Sequence, residues 1–296
     1  MIKYISTSRK LFLLFDYLLL VSTGFVCLLP FINLLAISFS GSAPVSAGRV
    51  LFWPVEFTLS SYEFAVKGGK FFVALWVSIK RVILGVSINI TMMICAAYPL
   101  AKNKEHFRWR NIYMVYFLVT IIISGGLIPL YIVVVKLKLI DSLWALVLPG
   151  ALPVGTMVIL MNFIRQMPQD IEEAAIIDGA GVFSRLIRVI LPLLKPALAT
   201  VGLFCIVGHW NDWFGGIIFM NRPENYPLQS YLQTLLTSIE EMMRFSGIDY
   251  TRLLGMMSAR TGRAAQLFLG AVPMMVVYPF LQRYFTTGLV LGSVKG

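Results

Sequence analysis

The chain has 296 residues, 58% of them hydrophobic and only 13% charged, against roughly a quarter charged in an ordinary soluble domain. With a mean hydropathy of +0.81, this composition excludes a water-soluble enzyme. The net charge of +11 would point to nucleic acid in a soluble protein, but here the cations lie between and beside apolar runs, where basic residues ordinarily mark membrane orientation.

The first apolar run, Leu11 to Phe39, follows Lys3, Arg9 and Lys10. It is too long for the roughly 7–15-residue core of a secretory signal, and no small-residue cleavage site closes it. It is expected to be a transmembrane helix starting in the cytoplasm. Five further runs follow: Phe71 to Leu100, Ile112 to Val135, Leu143 to Phe163, Ala197 to Met220 and Ala264 to Phe285. Each is long enough to cross a hydrocarbon core of roughly 30 Å as a helix, and backbone groups in lipid must bond within their own segment. The expected fold is an all-α integral membrane protein with six transmembrane helices. Cys27, Cys95 and Cys205 each fall inside an apolar run with no disulfide or metal spacing, so they read as packing residues.

Orientation comes from the short connections. Lys102, Lys104, Arg108 and Arg110 follow the second span, and Arg165, Arg185, Arg188 and Lys195 the fourth, whereas only Lys136 and Lys138 follow the third. Both termini are therefore expected in the cytoplasm, with 40–70 and 221–263 outside. Arg244, Arg252, Arg260 and Arg263 do not change this, because long loops translocate largely regardless of charge. Pro30, Pro99, Gly125-Gly126 with Pro129, Pro149-Gly150 with Pro153, Pro273 and Pro279 punctuate the spans, as in the broken helices of transporters or in ordinary kinked helices.

The connection between the fourth and fifth spans, Met167 to Pro196, is long, and its first half is polar. Pro168 and Asp170 mark a helix start, and Glu172 and Glu173 put negative charge in its first turn, where the dipole favours it. Gly179-Ala180-Gly181 permits a sharp break. A second helix then aligns Val182, Leu186 and Ile190 at i, i+4 spacing, with Arg185 and Arg188 on another face, and is expected to lie along the membrane surface. The result is a helix-turn-helix knob suited to a groove on a partner protein.

Glu173-Ala174-Ala175, then Asp178-Gly179-Ala180 and Pro192 further on, resembles the EAA loop of permease subunits in binding-protein-dependent ABC importers. Trp210-Asn211-Asp212-Trp213, Tyr226-Pro227-Leu228-Gln229 and the tail from Gly288 to Gly296 resemble the carbohydrate branch that contains the inner subunits of maltose-type importers. The run from Arg222 to Tyr231 and Tyr278-Pro279-Phe280 look more like the sub-branch for oligosaccharides released from polysaccharides, acidic ones included. The resemblance covers about Phe71 to the last residue; the first span and outer loop share only topology.

The resemblance implies a type I ABC importer permease fold. Residues 1–70 would form the first helix and outer loop, 71–290 a permease core with the coupling loop at 167–196, and 291–296 a cytoplasmic tail, with the stretch from Gly288 to Gly296 touching the ATPase interface. It implies a place in the bacterial cytoplasmic membrane, among its lipids, beside a homologous permease, an ATPase dimer and an external solute-binding protein. Glu173, Ala174, Ala175, Asp178, Gly179, Ala180 and Gly181 would then dock in the ATPase, with Glu173 pairing a basic group there.

Asp212 is an ionisable group in an apolar span, which by default suggests function. With Trp210, Asn211 and Trp213 it offers hydrogen bonds and aromatic faces to a sugar, or else forms a structural polar network. Lys80 and Arg81 raise the same choice, with snorkelling to the outer interface accounting for at least one. The only histidines, His106 and His209, do not make a zinc site. With no GxxxxGK[ST] loop, the chain itself is expected to bind no cofactor, ATP and Mg being held by partner ATPase subunits. An ion- or proton-coupled secondary transporter is the rival reading; it predicts inverted repeats and midplane acids, for which only Asp212 and Asp16 are candidates.

Overall fold

The computed structural model describes residues 7–66, 69–103, 107–234, 237 and 258–293. Lys3, Lys104, His106, Arg244, Arg252 and the last three residues of the tail lie outside the described residues. The described residues are mostly helical, and among them the only β pairing is a single bridge between Ser40 and Phe57. It divides into two compact units, 1–68 with 234–271 and 69–233 with 272–296.

In the first unit, α1 (Thr7–Ser38) turns apolar side chains outward on every side, from Leu11 to Phe31, the pattern of a helix solvated by lipid. Its end is tied to the following loop. Asn33 Nδ2 donates to the Leu51 carbonyl at 2.6 Å, Ser38 and Tyr62 share a 2.7 Å hydrogen bond, and Phe39 stacks on Phe57. Two short helices, α2 (Ser42–Ser46) and α3 (Ser60–Val66), complete the segment.

The second unit is organised around α4 (Lys70–Ala101). Its buried residues Arg81, Gly85, Asn89, Met93 and Ala97 recur every fourth position, so they form one stripe along the rod. The lower part of that stripe packs against Met157, Leu160, Met161 and Ile164 of α8 (Val154–Arg165) and Ala197, Val201 and Cys205 of α11 (Lys195–Asn211). Burial of such a continuous cluster in close-packed contact holds the three helices together.

Among the described residues, α1 and α4 are the helices long and apolar enough to cross a membrane unaided; three bent pairs bring the number to as many as five if each pair is one span. The first pair, α5 (Arg110–Ile122) and α6 (Leu127–Lys136), bends by 111°. Gly126 there has φ +80°, which a residue with a Cβ adopts only at a cost. Next, α7 (Leu143–Val147) extends through a tight turn to Gly150 and meets α8 at 52°; Pro149 and Pro153 remove the donors that would continue the helix. The third pair is α10 (Val182–Leu193), which carries a wide π turn at Leu186–Ile190, and α11 at 80°. The fifth span is not one helix to Met220: α11 ends at Asn211, Asp212 is extended, and α12 (Phe214–Phe219) follows. The last helix, α13 (Ser258–Ser293), covers the sixth expected span with Pro273 and Pro279 inside it. Of the cysteines, only Cys205 is buried; Cys27 and Cys95 are exposed on apolar helix faces rather than packed.

Candidate functional site

The connection between α8 and α10 is the helix α9 (Gln169–Ile177), which starts after Pro168 with Asp170 and Glu172 in its first turn. It stops because Gly179 turns left-handed, at φ +76°. The Gly179 amide donates to the Ile176 carbonyl and the Ala180 amide to the Ala175 carbonyl, each at 2.9 Å, which is the paired-bond C-cap that glycine favours. Gly181 is extended and launches α10.

Of the motif residues, Ala175 packs inward and Ala180 is half-buried, while Glu173, Ala174, Asp178, Gly179 and Gly181 are exposed. Beside them Ile177 and Phe183 are 86% and 79% exposed, apolar surface of the kind that marks a protein contact. The Val182, Leu186 and Ile190 face does not simply lie along a membrane surface: Ile190 is buried in the α4–α8–α11 core, with Leu186 packed against it.

Glu172 is the acid that sequence reasoning passed over. Adjacent helical positions point about 100° apart, so of the two glutamates one faces out and the other faces α4. Glu172 accepts a hydrogen bond from the Tyr98 hydroxyl at 3.0 Å and pairs with Lys102, whose ammonium lies 4.3 Å from the centre of the Tyr98 ring. Burial works to raise its pKa, but hydrogen bonds from Lys102 and Tyr98 and the charges of Lys102 and Arg185 outweigh it and hold the carboxyl below its ordinary value.

At the other end of α4 a cavity of about 490 Å³ is lined by Arg81, Asn89, His209, Asp212 and aromatic residues that include Phe204 and Phe214. The Arg81 side chain is 3% exposed. It donates to the Asp212 carbonyl at 2.8 Å and pairs with the Asp212 carboxylate, whose other oxygen accepts the Gly215 amide at 3.0 Å and so organises the start of α12. Asn89 Nδ2 donates to the carbonyls of Gly150 and Ala151 at 2.7 and 2.9 Å. Its Oδ1 therefore accepts, and His209 Nε2 donates to it across 2.8 Å. Gly85 is required here because a Cβ would lie 2.6 Å from His209 Cε1.

The expected aromatic and amide partners do not join Asp212 in the cavity. Trp210 is buried in packing, Asn211 is exposed, and Trp213 sits edge-on to Phe214 with its carbonyl accepting from Ser230 Oγ at 2.7 Å. Lys80 is exposed, and the buried cation at the cavity is its neighbour Arg81. An ionisable residue in phase with Gly85 and Asn89 was the available signal.

A third polar centre is Asp141, which lies between α6 and α7 with φ +63°. Its carboxylate accepts from the amides of Asn221 and Arg222 at 3.2 and 3.3 Å and from Asn225 Nδ2 at 2.9 Å, and pairs with Arg222. Burial opposes ionisation, but the hydrogen bonds from Asn225 and the two amides, with the Arg222 charge, leave the carboxyl below its ordinary value. This clasp holds the start of the segment whose Leu228 amide donates to Ser78 Oγ at 2.7 Å.

Residues 90–290 match the protein family described as binding-protein-dependent transport system inner membrane component. Protein LplC of Bacillus subtilis (strain 168) is 34% identical over 95% of this chain and 94% of its own. The polygalacturonan/rhamnogalacturonan transport system permease protein YtcP of the same organism is 32% identical over 97% and 99%. A chain of the crystal structure of a bacterial ABC transporter involved in the import of the acidic polysaccharide alginate superposes with a TM-score of 0.80 at 26% identity, over 95% of this chain and 99% of that one.

Proposed function

This chain belongs to the family of binding-protein-dependent transport system inner membrane components, and from that premise we propose that it carries an acidic, polysaccharide-derived oligosaccharide across the bacterial cytoplasmic membrane. It is a multi-pass membrane protein and the permease subunit of an ATP-driven ABC importer, not an enzyme. Membership implies a partner permease, an ATPase and a binding protein in general terms.

In the finer reading both termini are cytoplasmic and a homologous permease pairs with this chain. Two ATPase subunits carry ATP and Mg, and a solute-binding protein delivers sugar from outside. The transport core runs from residue 71 to 290, after a first helix and outer loop at 1–70 and before a cytoplasmic tail at 291–296. The observation that carries the coupling reading is the glycine-capped α9, which holds Glu173 and Ile177 in the open on a rigid turn. Closure of the ATPase dimer moves α9, with Glu173 to Gly181 in its cleft, and the membrane helices rock between inward-facing and outward-facing states.

The substrate reading draws on the likeness to carriers of polygalacturonan, rhamnogalacturonan and alginate. The cavity is compatible with it: Asp212 already neutralises Arg81, so the wall offers hydrogen bonds to hydroxyls rather than net charge. Selection for the acidic group then falls to the binding protein and the partner permease.

The test is ATP hydrolysis by the reconstituted complex, with and without binding protein and oligogalacturonate or oligoalginate, for wild type, Glu173→Ala and Gly179→Asp. Ligand-stimulated hydrolysis by wild type, lost in both variants while the complex stays folded, is the expected result. Uptake that needs no ATPase subunit and follows a proton gradient would contradict it.

A further inference from the structure

The cytoplasmic end of α4 carries Tyr98 and is capped by Lys102, and both engage Glu172 of α9. Higher on the same unbroken helix, Asn89 binds His209 and Arg81 binds Asp212. Tyr98 and Arg81 are 17 residues apart, roughly 25 Å of helical rise. One rod therefore joins the loop that meets the ATPase to the wall of the cavity, and it is gripped by polar groups at both ends.

We infer that the Glu172, Lys102 and Tyr98 cluster is a strut that makes α9 and α4 move as one body, so that displacement of the coupling loop reaches Arg81 and Asp212. The inference rests on the functional reading above and adds positioning residues to it. Three features favour a strut over an incidental surface pair. Both charged side chains are only 22% exposed, so screening by water is limited. The cluster is closed, because Lys102 meets both the carboxylate and the Tyr98 ring while Tyr98 donates to the same carboxylate. The end of the helix it grips is also anchored: Arg110 Nε and Arg165 Nη2 both donate to the Leu100 carbonyl, at 3.0 and 3.1 Å. Glu173, one position on, is exposed and left to the ATPase.

The experiment uses the full complex in proteoliposomes, with spin labels at Asp170 on α9 and Lys80 on α4, both exposed, and the native cysteines replaced by serine. The wild type is expected to show one narrow distance distribution with and without ATP and vanadate. In Glu172→Gln and Lys102→Met the distribution broadens, and binding-protein-stimulated hydrolysis falls roughly five- to tenfold, while the ATPase still co-purifies with the complex. The exchanged double variant Glu172→Lys with Lys102→Glu restores a narrow distribution. Single variants that keep a narrow distribution and full stimulation would overturn the strut, as would singles that fail to assemble and are not rescued by the exchange. If the wild type shows no ATP-dependent oligogalacturonate or oligoalginate uptake, the functional reading fails; the label distances still decide the strut.

Discussion

The coupling loop and the cavity wall each contain a short run of distinctive residues, yet they are built by different means. In the loop, the shape of 173–181 is made by neighbours: Gly179 and Ala180 cap α9 with bonds three and five residues back, and the motif side chains stand mostly in the open. At the cavity, Asp212 meets Arg81 from 131 positions away and His209 meets Asn89 from 120 away. The loop can thus be altered with little loss of fold, whereas the cavity wall is part of what holds α4 to α11.

The largest expected effect is at Arg81. Arg81→Ala strands the Asp212 carboxylate; breaking a fully buried pair costs about 3–5 kcal/mol, and because Asp212 is 39% exposed about 2 kcal/mol is expected here. Thermal unfolding in detergent should show it, with Glu173→Ala within about 0.5 kcal/mol of wild type. An equal loss in the two variants would erase the contrast.

Gly85→Ala sharpens it further. Alanine would gain about 1 kcal/mol in helix propensity, but its Cβ runs into the His209 ring, and overpacking at about 1–3 kcal/mol wins. The expected result is a lower unfolding temperature, partly recovered by His209→Ala in the same chain. At Gly179 the strain of φ +76° costs Gly179→Ala about 1 kcal/mol, confined to the end of α9. Hydrogen exchange should quicken at Gly179 and Ala180 and stay unchanged along α4.

The smallest effect is one of pH. The Glu172 and Asp141 carboxyls are lowered by their partners, so the stabilisation they contribute is present above the ordinary carboxylate value near pH 4 and is lost as pH falls through their lower folded values. Unfolding temperature in Asp141→Asn should therefore depend less on pH below about 4 than in the wild type.

The same contrast explains what was legible in the sequence. The breaks at Gly126 and Pro153 and the loop motif are local patterns, and each appears where its residues predict; of the six apolar runs, the first two form unbroken helices, the third and fourth are bent pairs, and the fifth breaks at Asp212. The division of labour between Glu172 and Glu173, and between Lys80 and Arg81, depends on which side of a helix faces its neighbour, and adjacent positions give opposite answers. The stripe of Arg81, Gly85, Asn89, Met93 and Ala97 was readable as an i+4 series, but its partners on α11 were not, because nothing local ties position 81 to 212. The early end of α11 was missed for a related reason: hydropathy continues to Met220, while Asp212 binds the Gly215 amide and turns the chain.

The most direct test of the central claim is oligosaccharide uptake by proteoliposomes containing this chain, its partner permease, the ATPase and the binding protein, measured against ATP consumed. Uptake that requires ATP and binding protein, and that Glu173→Ala abolishes while the protein stays folded, is the predicted result. Uptake by the membrane subunits alone, driven by an imposed proton gradient and unaffected by Glu173→Ala, would contradict it.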